Sequence, residues 1–344
     1  REGGRKRFPV LAKSGMLASP HPPVCGDFAM TSIVFLDRAS LPAALPALPL
    51  PHHWQDYPNT LPAQLLSHAA GAEVLISNKV ALRAEHFAQL PALKLVAVAA
   101  TGVNQIDLDA ARAHGVAVCN VRDYGADAVA EHAMMLMLAL SRNLLGYRAA
   151  VEAGEWQQAE QFCLYRPPMR DLRGRTLAVL GRGAIGDALA DKARAFGMQV
   201  IHAERKDATT LRDGYVPFAQ ALACADVVSL HLPLTDATRQ LIGAAELAQM
   251  KPDALLINTA RGGLVDETAL LAALQAGRLG GAGLDVLSNE PPRDGNVLLS
   301  VNLPNLIITP HAAWQGDQAL ALMAQQLIDN IAAFLRGAPQ NRVA

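Results

Sequence analysis

The amino-acid sequence predicts an α/β protein built from two doubly wound parallel sheets with a cleft between them. Three observations point there. From Met30 onward, short apolar runs alternate with helix-length amphipathic stretches, the pattern left by a parallel sheet and its crossover helices. The alternation comes in two series, one running to about Asn120 and one starting at Arg175. The second series opens on a glycine-rich loop, Gly181-Arg-Gly183-Ala-Ile-Gly186, set between a strand and a helix.

In the first series the expected strands are Ser32 to Leu36, Glu73 to Ser77, Leu95 to Ala99 and Val116 to Cys119. Residues 1–29 differ in kind. They are basic, rich in Pro and Gly and without periodicity, and are read as an extension outside the fold, disordered or non-native. A targeting peptide is the alternative, but Pro9, Pro20, Pro22 and Pro23 would break its amphipathic helix. In the second series strands are expected near 177, 199, 226, 254, 282 and 306, separated by helices. Between the series, Ala126 to Asn143 is apolar nearly all round and must be buried on more than one side, at a subunit interface or between domains. A periodic helix, Gln318 to Arg336, closes the pattern before Gly337. Both units are thus expected to be Rossmann-like or flavodoxin-like.

The glycine loop explains itself physically. Gly181 permits the tight turn after the strand, Gly183 lets a diphosphate approach the backbone, and Gly186 allows helix and strand to pack closely. Ala184 and Ile185 then lie in the first helical turn, where phosphates are held. A second strand, Gln199 to Ala203, leads to Glu204, 18 residues past Gly186, where a carboxylate accepts hydrogen bonds from an adenosine ribose. Glu204 favours NAD, since it would repel a 2′-phosphate. Arg205 and Lys206 keep NADP open, or else are a solvated pair in a surface loop.

Composition narrows the field. A chain of 344 residues, 51% hydrophobic and 18% charged, has core enough for two domains. A net charge of -1 gives no reason to expect nucleic acid or an anionic membrane as partner. The apolar run Ala133 to Leu140 is far short of the roughly 20 residues that a spanning helix needs. Cys25, Cys119, Cys163 and Cys224 are scattered and read as reduced thiols of a cytoplasmic protein, neither disulfides nor metal ligands.

Three further residues carry chemistry. Arg261 follows the strand end Leu256-Ile-Asn-Thr-Ala, where ligands bind in such sheets, and a guanidinium can hold a carboxylate bidentately; the ordinary alternative is a surface arginine in a turn. His311 follows the strand Leu306-Ile-Ile and can give and take a proton near neutrality. Glu290, if hydrogen-bonded to it, would favour its protonated form and fix its tautomer; otherwise it is a solvated acid before two prolines.

The segments Ala-Ala-Thr-Gly-Val-Asn-Gln-Ile-Asp (99–107), the glycine loop, His-Leu-Pro-Leu-Thr (231–235), Asn-Thr-Ala-Arg-Gly-Gly-Leu-Val-Asp-Glu (258–267), Gly-Leu-Asp-Val-Leu-Ser-Asn-Glu-Pro-Pro (283–292) and Thr-Pro-His-Ala-Ala-Trp (309–314) together resemble the D-isomer-specific 2-hydroxyacid dehydrogenase family. They look most like its glycerate dehydrogenase, or hydroxypyruvate reductase, branch, over the whole of Met30 to the C-terminus. The resemblance implies reduction of a 2-keto acid by NAD(P)H, with hydroxypyruvate or glyoxylate favoured. It implies that His311 and Glu290 form the acid-base pair and that Arg261 binds substrate. Thr101, Gly102 and Val103 would cradle the substrate carboxylate, and Asn78 would meet its far end. Pro233, Thr259, Ala260 and Asp285 would join the glycine loop around the cofactor, while Trp314 walls the pocket or packs between domains. The implied domains are 30–125 with 314–344 for substrate and 126–313 for the dinucleotide. Arg182 departs from the smaller residue common at its place. Other readings are a D-lactate type specificity or a dinucleotide-sensing corepressor-like protein; formate dehydrogenases, also similar, lack the Glu at 290. The apolar helix from Ala126 points to a homodimer.

Overall fold

The computed structural model describes residues 30–166 and 169–344. The extension 1–29, with Cys25, lies outside the described residues. The first sheet consists of β1 (Thr31–Phe35), β2 (His52–Asp56), β3 (Val74–Ser77), β4 (Leu95–Val98) and β5 (Ala117–Cys119), all parallel, in the order β2-β1-β3-β4-β5. β3, β4 and β5 are buried along their whole length, as a parallel sheet covered on both faces requires, and this is why they read as continuous apolar runs. β2 was not expected. Its residues, His-His-Trp-Gln-Asp, are mostly exposed on the sheet edge, and an edge strand needs no apolar run.

The second sheet has seven parallel strands: β6 (Thr176–Leu180), β7 (Gln199–Ala203), β8 (Tyr215–Val216), β9 (Val227–Leu230), β10 (Leu255–Asn258), β11 (Gly281–Leu284) and β12 (Leu306–Ile308). Their order is β12-β11-β10-β9-β6-β7-β8. Only β8, two residues long, is additional to the six expected strands. Strand order reverses between β6 and β9, the switch point at which such sheets bind ligands. The glycine loop leaves β6 there, and His231-Leu-Pro233 leaves β9.

The helix Ala126–Ser141 lies on this sheet. Ala130, Ala133, Leu136, Met137 and Leu140 pack against β6, β10 and the helix Ala184–Ala195 in one apolar cluster. Its all-round apolarity is therefore largely satisfied within the chain, and Leu136→Ala would cost about 2–5 kcal/mol. The last helix, Asp317–Leu335, returns to the first sheet and buries Met323, Leu327, Ile328 and Ile331 against β1, β3 and β4. The final residues stay there, Val343 N donating to Val118 O at 2.8 Å. The chain thus passes between the sheets twice, just after β5 and just after β12. The carboxyl ends of β3 and β4 in one sheet, and of β10, β11 and β12 in the other, open onto one cleft of about 470 Å³. Among the described residues no helix is long and apolar enough to cross a membrane.

Candidate active site

His311 stands at the centre of a hydrogen-bonded loop after β12. Its backbone is left-handed, with φ at 53°, a conformation that costs a non-glycine residue about 1–3 kcal/mol unless its surroundings impose it. They do so through Asp285 at the end of β11. His311 N donates to Asp285 O at 2.8 Å. Asp285 Oδ1 accepts from Thr309 Oγ1 at 2.5 Å and Ala312 N at 2.9 Å, and Oδ2 accepts from Ala313 N at 2.9 Å. Asp285 lines the cleft, yet most of its hydrogen-bonding capacity holds this loop.

The imidazole Nδ1 lies 2.6 Å from Glu290 Oε2, and Glu290 Oε1 accepts from Leu287 N at 2.8 Å. Burial works against the Glu290 charge, but the His311 ring, the Leu287 N–H and Lys79 outweigh it and hold the carboxyl below its ordinary range. With Nδ1 taken, Nε2 is the ring nitrogen left for a ligand. Trp314 Nε1 donates to His311 O at 3.0 Å, tying the cleft wall to the same loop.

Arg261 follows β10 and is fixed from behind. Asn258 Nδ2 donates to Arg261 O at 2.9 Å, and Arg261 Nη1 donates to Ala260 O at 2.6 Å. Its other terminal nitrogen, Nη2, lies 3.0 Å from where a β-carbon on Gly102 would sit, so the guanidinium covers the Thr101-Gly102 loop after β4. Arg261, Glu290, His311, Thr101, Gly102 and Asn78 all line the cleft. Val103 does not; it packs into a core layer of the first sheet. Asn78 is held by its own N–H on Asp37 Oδ1 at 3.0 Å and by its amide on Ser40 O at 3.2 Å.

Several residues of the cleft escaped the sequence reading, Lys79 and Tyr124 among them. Lys79 is tied through its backbone N–H to Asp37 Oδ2 at 2.6 Å, and its ammonium meets no acceptor among the described residues. Burial, then the nearby Arg261 charge, lowers its pKa. Tyr124 also lines the cleft, and burial pushes its phenol up to about 12, leaving a neutral donor. Lys79 sits beside Asn78, which did carry a signal, but a lone Lys or Tyr in a loop has none of its own.

The dinucleotide side is shaped by the space its glycines leave. Gly181 has φ at 103°, and a β-carbon there would fall 2.4 Å from His231 O; one on Gly186 would fall 2.3 Å from Gly181 O. At Gly183 nothing lies within 4 Å. The two outer glycines therefore close the turn, and the middle one leaves an open approach to the N-terminus of the helix Ala184–Ala195. Ile185, Pro233, Thr259 and Ala260 line the same cleft. Thr259 Oγ1 is buried there with no hydrogen-bond partner among the described residues, as befits a polar atom facing a ligand. These features fit a dinucleotide.

Glu204 is different from the expectation of a free ribose acceptor. Its carboxylate accepts from Arg205 N at 2.9 Å and from Arg212 N, Nε and Nη2 at 3.1, 2.8 and 2.7 Å. The Arg212 guanidinium and these backbone N–H groups hold it down to about 2. Lys206 is drawn to Glu246 at 2.9 Å, and Arg182 to Asp187 at 3.3 Å.

Comparison with known proteins agrees with this geometry. Residues 134–313 match the model of the D-isomer specific 2-hydroxyacid dehydrogenase NAD binding domain. The chain is 46% identical to the glycerate dehydrogenase of Methylorubrum extorquens over 90% of its own length and 98% of that protein. It is 31% identical to the hydroxypyruvate reductase of Blautia hydrogenotrophica, over 81% and 87% of the two chains. The crystal structure of a glyoxylate reductase from Paecilomyes thermophila superposes with a TM-score of 0.75 at 29% identity, covering 92% of this chain and 98% of that one. A nucleotide loop at the switch point, an imidazole-carboxylate pair and an arginine meeting in one cleft, on a chain so matched along its length, belong to an NAD(P)-dependent oxidoreductase of the D-isomer specific 2-hydroxyacid dehydrogenase family.

Proposed function

We propose that the chain reduces hydroxypyruvate or glyoxylate to the corresponding D-2-hydroxy acid, with His311, Glu290 and Arg261 as the acting residues. The observation that carries this reading is the 2.6 Å contact of His311 Nδ1 with Glu290 in the cleft where Arg261 overhangs Gly102. When bound, the reduced nicotinamide supplies the hydride that reaches the carbonyl carbon. Arg261 and the Thr101-Gly102 amides grip the substrate carboxylate, which fixes the face of the carbonyl presented. His311 Nε2 delivers a proton to the carbonyl oxygen, while Glu290 keeps the Nδ1 proton and balances the imidazolium charge before transfer. Arg261 also steadies the negative charge growing on that oxygen. Lys79, whose ammonium meets no acceptor among the described residues, is suited to an oxygen on C3, which favours hydroxypyruvate over pyruvate.

The sheets are read as two domains, 30–125 with 314–344 for substrate and 126–313 for dinucleotide, able to close over the cleft and exclude water. A homodimer is supported by Leu144, Leu145, Val151, Trp156 and Phe162, large apolar side chains left exposed after the helix Ala126–Ser141. The free thiols Cys119, Cys163 and Cys224 suit the cytoplasm.

The deciding experiment measures initial rates of NADH and NADPH oxidation with hydroxypyruvate, glyoxylate, pyruvate and oxaloacetate, with His311→Ala as the blank. Turnover of hydroxypyruvate or glyoxylate well above pyruvate supports the reading. Preference for pyruvate would replace it with a D-lactate type specificity, and no turnover of any of the four would move the weight to another 2-keto acid or to a dinucleotide-sensing role.

A further inference from the structure

Glu204 stands where a carboxylate reads the ribose, yet its side chain is only 3% exposed. Four donors already fill its two oxygens, three of them from Arg212. To accept ribose hydroxyls it would have to give up some of those bonds. What faces outward is the guanidinium, 53% exposed, with Nη1 meeting no acceptor among the described residues. Its plane is fixed from two sides: the carboxylate holds one edge, and the Tyr215 ring lies beneath at 3.9 Å from centroid to guanidinium carbon. An arginine so fixed loses little freedom when it binds an anion. Beside Glu204 opens a second cavity of about 340 Å³, walled in part by Arg205, Lys206, Thr209 and Thr210. The charges there nearly cancel in pairs, Glu204 with Arg212 and Lys206 with Glu246. Arg205 has no ion-pair partner among the described residues, and Asp207 and Asp213 are exposed in the same loop, where water screens them.

We propose that Arg212, and not Glu204, reads the 2′ position of the adenosine ribose, and that the chain takes the 2′-phosphorylated dinucleotide at least as well as the unphosphorylated one. Arg212 offers the phosphate its free N–H groups. Glu204, paired with Arg212, no longer repels the anion. The proposal rests on the dinucleotide site described above.

The test is calorimetric and needs no turnover: titrate the whole protein with ADP-ribose and with 2′-phospho-ADP-ribose. The second should bind at least as tightly as the first. Arg212→Ala should weaken the phosphorylated ligand about tenfold or more while leaving ADP-ribose unchanged or tighter, because it uncovers the Glu204 charge. Arg212→Lys, which keeps the charge and is the milder change, should recover part of that loss. Glu204→Gln should change the preference little. The proposal is overturned if ADP-ribose binds tenfold tighter and Glu204→Gln abolishes that preference, since the carboxylate would then be the reader. It is equally overturned if Arg212→Ala weakens both ligands alike. Keto-acid turnover with NADH in either case would leave the proposed reaction standing and remove only this inference.

Discussion

Gly262 and Gly263 are neighbours in sequence, and the structure predicts opposite outcomes for giving each a methyl group. A β-carbon on Gly262 would sit 1.9 Å from the carbonyl carbon of Leu287, 2.1 Å from its oxygen and 2.3 Å from Ser288 N. Ordinary contact begins near 3.4 Å, so the Leu287-Ser288 backbone would have to retreat by about 1.5 Å in a close-packed interior. That backbone is anchored, since Ser288 N and Oγ both donate to Glu267 at 2.7 Å. It also positions Glu290, the proposed partner of His311, because Leu287 N donates to its carboxylate. Gly262→Ala is therefore expected to cost about 3 kcal/mol, the upper end for overpacking, and to lower Tm by roughly 6–12 °C. A shift of about 1 Å at Glu290 and Arg261 should lower kcat/KM about 100-fold. On Gly263 the same methyl meets only the Leu234 side-chain tip at 2.9 Å, which can turn aside, so Gly263→Ala should change Tm by at most about 2 °C. Melting scans and steady-state rates on both variants settle the matter. The reasoning fails if Gly262→Ala melts within about 1 °C of the parent or if the two variants behave alike.

Replacing His311 by Ala should lower kcat/KM by about 10²–10⁴-fold while NADH binding, followed by fluorescence, changes little; near-parental turnover would remove His311 from the chemistry. The Glu204 carboxyl is depressed from its ordinary 4.5 to about 2, so the Glu204–Arg212 pair stabilises the fold fully above about pH 4.5 and progressively less as pH falls toward 2. The Tm gap between the parent and Glu204→Gln should accordingly be open at pH 6 and shrink in acid; a constant gap would contradict the pairing. Phe162, 96% exposed, and Leu144 should lie in the homodimer interface. Changing both to Glu should weaken the dimer about 100-fold or more in analytical ultracentrifugation, and a monomeric parent protein at micromolar concentration would dispose of the idea.

What could be read in the sequence follows from what a parallel sheet demands. Strands buried on both faces, such as β3, β4 and β9, must be continuous apolar runs, and they were found within a residue or so of their places. The edge strands β2 and β8 carry no such demand and were invisible. Arg261 and His311 were legible because strand ends on one side of a sheet converge, so residues 50 positions apart share a cleft, whereas Asp285 was read only through the family resemblance. Contacts made by loops are a different matter. Nothing periodic links Arg212 to Glu204 or points Lys79 into the cleft, because a loop's path depends on where tertiary packing fixes its ends.

The two passages of chain between the sheets lie side by side. A β-carbon on Gly125, in the first, would be 3.9 Å from Trp314 in the second, and one on Gly316 would be 3.0 Å from Ala128 Cβ. Any change in the angle between the sheets has to be absorbed in these few residues, so they define a single axis. His311 lies only three residues before Trp314, yet its bonds to Asp285 bind it to the nucleotide-bearing sheet, on which Arg261 and Glu290 also ride. The Thr101-Gly102 loop rides on the other, together with Asn78 and Lys79 after β3. On the proposed reading, rotation about this axis would leave His311, Glu290 and Arg261 fixed relative to the nucleotide loop and carry the Thr101-Gly102 loop, with Asn78 and Lys79, toward them, so that substrate is the part that travels.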